Sequence, residues 1–174
     1  LGNSPDLLEL IDKYGADAVR FGIMVSSPAG NDLMFDKNSL EQGRFFNNKM
    51  WNALKLVMGW KLRVAGSITP GVEVLNENFA TNWFQNRLNE ARTEVDELMK
   101  QFRLSEALKT IYSLIWDDFC SWYLEWVKPG FEQPIDAGIY KKTVEFFTEL
   151  MQLLHPYMPF VTEEIYHLLK EQTD

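Results

Sequence analysis

Apolar side chains that return every three or four residues, over four long segments, constrain this chain more than any other feature. Between Phe79 and Phe102 they are Phe84, Leu88, Ala91, Val95, Leu98 and Phe102. Between Leu104 and Val127 they are Leu108, Ile111, Ile115, Phe119, Trp122 and Trp126, and Pro129-Gly130 ends the segment. From Ile135 to Leu154 two rows run together: Tyr140, Val144, Phe147, Met151 and Leu154 beside Phe146, Leu150 and Leu153. This is the spacing of helix faces turned to a core, and the double row calls for burial on two sides. Nothing alternates with a period of two over a useful length, so no real sheet is expected. The fold class that follows is all-α, an antiparallel helical bundle with a small N-terminal helical piece.

The fourth long segment, Asp36 to Arg63, is the most informative. It can hold about seven helical turns, has no proline, and has only Gly43 and Gly59 as glycines. Phe46, Met50, Ala53, Val57 and Trp60 fall on one stripe of the helical wheel, the core face. Arg44, Asn48, Trp51, Asn52 and Lys55 fall nearly opposite. The chain carries a net charge of −8, which argues against a non-specific nucleic-acid binder. Within Asp36–Arg63, however, six cations face two carboxylates, giving +4, so the remainder carries −12. An acidic body with one basic helix repels polyanions everywhere except along that helix. The other reading of the same charges is a helix kept soluble by its polar face.

The shorter segments read as follows. Ser4 is placed to cap a first helix, with Pro5 at its first position and Tyr14-Gly15 as its stop. A second helix runs from Ala16 to about Val25, with Val19, Ile23 and Met24 as core candidates. Ser26 to Asn31 is turn chemistry, and Asp32 to Phe35 is extended. Ala65 to Gly71 breaks the chain, and Val72 to Asn78 reads as a loop. Pro156 stops the Ile135–Leu154 helix, and Pro159 starts a last one carrying Val161, Ile165, Leu168 and Leu169. Arg20 is expected to pair with Asp17 three residues earlier. The chain opens on Leu1 without an initiator methionine and is expected to be part of something longer.

Catalytic chemistry is hard to assemble from these residues. His155 and His167 are the only histidines and Cys120 the only cysteine, so no metal-ligand cluster is expected. Cys120 sits in an aromatic row and reads as core packing, and a lone cysteine fits a reducing compartment such as the cytoplasm. The adjacent pairs Asp117-Asp118 and Glu163-Glu164 point about 100° apart and do not converge on one substrate atom. There is no Walker-type loop and no dinucleotide fingerprint. No run of about 18 uncharged apolar residues is present, which excludes a spanning helix.

Three stretches together resemble the class I aminoacyl-tRNA synthetases. Leu1 to Pro5 followed by Tyr14 to Arg20 (YGADAVR) is similar to the segment directly after the Lys-Met-Ser-Lys-Ser signature loop. Ser27 to Leu33 (SPAGNDL), with Phe35-Asp36, Gly43-Arg44 and Asn48 to Ala53 (NKMWNA), resembles the valyl family within that class. Trp116 to Lys128 (WDDFCSWYLEWVK) and His155 to Tyr166 (HPYMPFVTEEIY) are similar to helices of the anticodon-binding bundle shared by valyl, isoleucyl and leucyl enzymes. The resemblance implies a connecting, stem-contact segment over residues 1–35 and an anticodon-binding helical bundle over 36–174. It implies a parent ligase that joins valine to its tRNA with ATP and Mg²⁺. The catalytic, editing and C-terminal coiled-coil domains would lie outside this sequence, as partners of the chain, which alone is expected to be no enzyme and to need no cofactor.

By the same resemblance the partner is the anticodon stem-loop of tRNA(Val), and the residues to meet it are Arg44, Asn48, Trp51, Asn52, Lys55 and Lys128. Splayed anticodon bases are stacked on aromatics and read by amides or cations, and Asn48 and Asn52 hold both donors and acceptors. Lys55 stands where the family often shows an arginine, leaving a point charge without a bidentate fork. Lys128 joins the set if the third long helix ends at the same tip of the bundle. Against stacking, Trp51 reads more readily as packed, with the Ser27–Phe35 segment as the candidate cover, and Trp122, Tyr123 and Trp126 read as core. A bundle that only orients other domains, and the equivalent part of an isoleucyl enzyme, are the competing readings.

Overall fold

The computed structural model describes residues 5–27, 30, 35–61, 64–65 and 72–171, and the side chains of 65 and 72–78 are left aside. The described residues are mostly helical, with α1 (Leu7–Tyr14), α2 (Ala16–Val25), α3 (Lys37–Trp60) and α4 (Val72–Lys100) in the first part. Then come α5 (Leu104–Ser113), a π-helical stretch (Leu114–Tyr123), α6 (Leu124–Val127), α7 (Ala137–Leu154) and α8 (Pro159–Lys170). One two-residue parallel pair, β1 (Val64–Ala65) with β2 (Ile135–Asp136), is the sheet structure among the described residues. The expected all-α bundle is what forms.

The pairing of β1 and β2 fixes the direction of the helices. It ties the end of α3 to the loop beyond α6, so both helices finish at one end of the bundle. Lys61 Nζ donates to the Glu171 carbonyl at 3.2 Å and brings the end of α8 there too. Helices α3, α5–α6 and α8 therefore run one way, and α4 and α7 return. We call this the far end. The near end is where the N-terminal helices sit.

There the packing is close. An atom added as Cβ to Gly43 of α3 would lie 2.7 Å from the Ala18 carbonyl oxygen, and one on Gly22 of α2 would lie 2.9 Å from the Leu40 backbone nitrogen. The two helices cross with backbone against backbone, and only glycine fits at either position. Arg20 does not pair with Asp17. Its guanidinium donates to the carbonyls of Tyr157 and Pro156 in the α7–α8 turn, both at 3.0 Å. Asp17 is buried and accepts from Phe160 N at 3.2 Å and Val161 N at 2.6 Å. Pro159 at the first position of α8 has no N–H, and the flanking Met158 supplies no side-chain cap. A carboxylate from α2 thus takes over the N-cap of α8, satisfying donors that a helix start leaves open. Asp17→Ala is expected to cost about 1–2 kcal/mol, measured by urea denaturation.

The elements depart from the sequence reading at five places, each for a local reason. Asp6, rather than Ser4, caps α1: its carboxylate accepts from Leu8 N at 2.9 Å, so Pro5 lies outside the helix, and Ser4 falls outside the described residues. In α2 Val19 is buried, but Phe21 is the larger core residue and Ile23 and Met24 are only half-buried. The turn at 28–29, the extended piece at 31–34 and the break at 66–71 also lie outside the described residues. Val72–Asn78 is not a loop: α4 starts at Val72 and runs for 29 residues. That stretch holds neither proline nor glycine, and adding residues to a formed helix is cheap compared with nucleating one. Phe102 is not in the core. Helix α4 stops at Lys100, Arg103 N bonds back to Leu98 O and Phe102 N to Met99 O, and Phe102 takes φ 57°. That is a Schellman closure with phenylalanine at the left-handed position, and it leaves the ring 82% exposed.

The fifth departure is the most consequential. Leu108, Ile111, Ile115 and Phe119 are buried as expected, but Trp122 is 53% and Trp126 44% exposed. Beyond Ser113 the helix opens to i→i−5 bonding, with Leu124 N reaching Phe119 O. Each π turn takes more residues than the α turn, so the buried row lengthens its step to Ile115, Phe119, Tyr123 and Val127. Trp122 and Trp126 are rotated out, and of the three aromatics only Tyr123 keeps its core place, its hydroxyl 2.8 Å from Thr143 Oγ1.

Candidate nucleic-acid interface

Helix α3 begins where Asp36 caps it, its carboxylate accepting from Asn38 N at 2.9 Å. The core stripe is buried as its spacing requires: Phe46, Met50, Ala53, Val57 and Trp60. Phe46 packs edge-on to Tyr112 at 4.8 Å and near Trp116, so α3 is held against α5 and the π-helical stretch. With that face fixed, Arg44, Asn48, Asn52 and Lys55 come to lie along the exposed side as one row. Neither Asn48, Asn52 nor Lys55 has a hydrogen-bond or ion-pair partner among the described residues. Arg44 pairs with Glu41 one turn earlier at 2.8 Å, an exposed pair of small energetic consequence.

Trp51 stands at the edge of this row. It is half-buried and packs against the main core, and it lines a cleft together with Val161 and Glu164 of α8. Its neighbours are thus α8 and the core. Most of the Ser27–Phe35 segment expected to cover it lies outside the described residues. Lys128 follows α6, so it lies at the far end, to which the Lys55 end of α3 also points. Its ammonium is paired with Glu125 three residues back.

Two features were not visible in the spacing. The tryptophans turned out by the π-helical stretch gather with two rings of α4: Trp126 lies 5.0 Å from Trp83, 5.6 Å from Trp122 and 6.3 Å from Phe79. Lys49, on the flank of α3, lies 5.2 Å over the Trp116 ring. Cys120 is buried, and burial pushes its thiol up to about 12, with the nearby Lys49 charge opposing. A thiol held neutral in this way is a packing residue and no nucleophile. Among the described residues no group of histidine, cysteine, aspartate and glutamate could hold a metal ion, and no helix is long and apolar enough to cross a membrane.

The chain matches the model of one protein family directly. Residues 81–174 fit the anticodon-binding domain of tRNA ligases, and the chain belongs to that family. Across its whole length it is also similar to proteins named valine–tRNA ligase. It is 52% identical to that of Porphyromonas gingivalis and 53% identical to that of Phocaeicola vulgatus, each over 100% of this chain. The protein of that name from Symbiobacterium thermophilum is 38% identical over 97% of the chain. The chain spans 19% of the length of each of these relatives. Among solved structures, a LeuRS of Agrobacterium radiobacter, in a ternary complex with tRNA and LeuAMS, superimposes with a TM-score of 0.71 at 18% identity. That match covers 97% of this chain and 20% of the other, and it speaks for the fold.

Proposed function

We propose that the chain is the anticodon-arm recognition module of a valine–tRNA ligase. It would hold the anticodon stem-loop of tRNA(Val) while parts of the parent beyond this chain join valine to the tRNA with ATP and Mg²⁺. The observation that carries the reading is the exposed row Arg44–Asn48–Asn52–Lys55 on α3, the one net-basic helix among the described residues of an acidic chain. Cations at its two ends suit phosphates, and the amides between them suit the edges of unpaired bases. Lys128, at the far end, would extend the cationic track, and Trp51 would offer the free part of its ring. Residues 1–35 would serve as the connecting segment, since α2 is locked both to α3 and to the α7–α8 turn and so transmits the position of whatever precedes it. Catalytic, editing and coiled-coil domains of the parent are the other expected partners, and the chain alone is expected to catalyse nothing.

Competition between anticodon stem-loops tests this. In low salt, the chain should bind the tRNA(Val) stem-loop and release it as salt rises. The tRNA(Ile) stem-loop should compete at least about tenfold less well, one wrong base contact being worth about 1–3 kcal/mol. Equal competition would favour an isoleucyl-type or unspecific module. Binding to neither loop would favour a bundle that only orients other domains.

A further inference from the structure

Beside the α3 row lies a feature that phosphate tracking does not explain. An open cleft of about 270 Å³ separates α3 from α8, lined by Asn47, Asn48 and Trp51 on one side and Val161 and Glu164 on the other. Its volume falls just under the range of about 300–1,000 Å³ typical of sites for drug-sized ligands, a scale suited to one planar ring system and not to a whole nucleotide. One wall is the indole of Trp51, whose packed edge is already held by the core, so little ordering is needed on contact. Asn47 lines the cleft, and its side-chain carbonyl oxygen is buried without a hydrogen-bond partner among the described residues. A buried acceptor without a donor is unfavourable until a donor arrives. The opposite wall carries the Glu164 carboxylate, exposed and without an ion pair among the described residues.

A carboxylate next to a cationic row weakens the hold on any polyanion. Its presence there needs a compensating contact, or it is only a solvated charge. We propose that this cleft receives one unpaired nucleobase bearing an exocyclic amino group, stacked on Trp51, with Glu164 as the residue that selects it. The inference rests on the RNA-binding reading above. An ionised carboxylate only accepts hydrogen bonds, so the incoming edge meets an acceptor at Glu164. The amino groups of adenine, cytosine and guanine donate to such an acceptor. Uracil presents two carbonyls flanking its single N–H, and these are repelled by the carboxylate. Selection by repulsion of the wrong base is how a site gains discrimination at some loss of overall affinity.

The test uses the 174-residue chain and a panel of anticodon stem-loops in which each loop nucleotide in turn is replaced by uridine. The wild-type chain should lose about tenfold or more of its affinity at one loop position. Glu164→Gln, at an exposed site where folding is unaffected, should cut that loss to about twofold or less, because an amide donates as well as accepts. Glu164→Ala should flatten the profile likewise. If both variants strengthen binding to every loop alike and keep the wild-type profile, Glu164 is a bystander charge and the pocket is refuted. A position-dependent profile that neither variant changes refutes it too. If the wild-type chain binds no member of the panel, the RNA-binding reading itself fails, and the pocket with it.

Discussion

Reversing two charges, as Arg44→Glu together with Lys55→Glu, is expected to weaken stem-loop binding on the order of 100-fold at low salt. Both side chains lie on the exposed side of α3, well away from its buried stripe, so helicity should be unchanged by circular dichroism. If each cation meets one phosphate, the dependence of log affinity on log salt should also flatten by about two units. Lys55 should account for more of the loss than Arg44. The guanidinium of Arg44 is partly spent on Glu41, whereas Lys55 has no partner among the described residues. An unchanged affinity, with folding intact, would mean that the basic face is only a solvated surface.

Phe84→Ala should have the largest effect on stability, about 3–5 kcal/mol. The ring is fully buried, and its centroid lies 4.9 Å from Phe146, 5.2 Å from Tyr123 and 5.3 Å from Phe119. From α4 it reaches rings of both the π-helical stretch and α7. Truncation removes these aromatic contacts and leaves a void that the rigid neighbouring rings fill poorly. For a chain of this size the melting temperature should fall by roughly 6–20 °C. Unfolding followed by calorimetry and by urea titration should agree on the loss. A change below about 1 kcal/mol would show that the ring cluster can collapse around the gap.

How far the sequence could be read depended on whether the helical period held. Over α3, α4 and α7 it did, and Phe46, Leu88 and Phe147 are buried where the spacing put them. Over 114–123 the period itself changed, and a fixed 100° step carried Trp122 and Trp126 into a core from which the π turns exclude them. Nothing in LIWDDFCSWY announces that opening. The Asp17 cap of α8 was equally hidden, because it joins residues more than 140 positions apart. The same holds for Arg20, for which a local partner was the natural choice. The exposed row on α3 was legible because it needed only one helix and its wheel. The cleft behind Trp51 was not, since it exists only once α8 is laid against α3, and Glu164 reads in isolation as a helix-start charge.

The most direct test of the central claim, that the exposed face of α3 is the RNA-binding surface, is amide chemical-shift mapping of the chain during titration with the tRNA(Val) anticodon stem-loop. The largest perturbations are expected on Arg44 to Lys55 of α3, spreading toward Lys128 at the far end, with α1 and α2 nearly silent. Perturbations centred on the near end, or scattered without regard to α3, would contradict it.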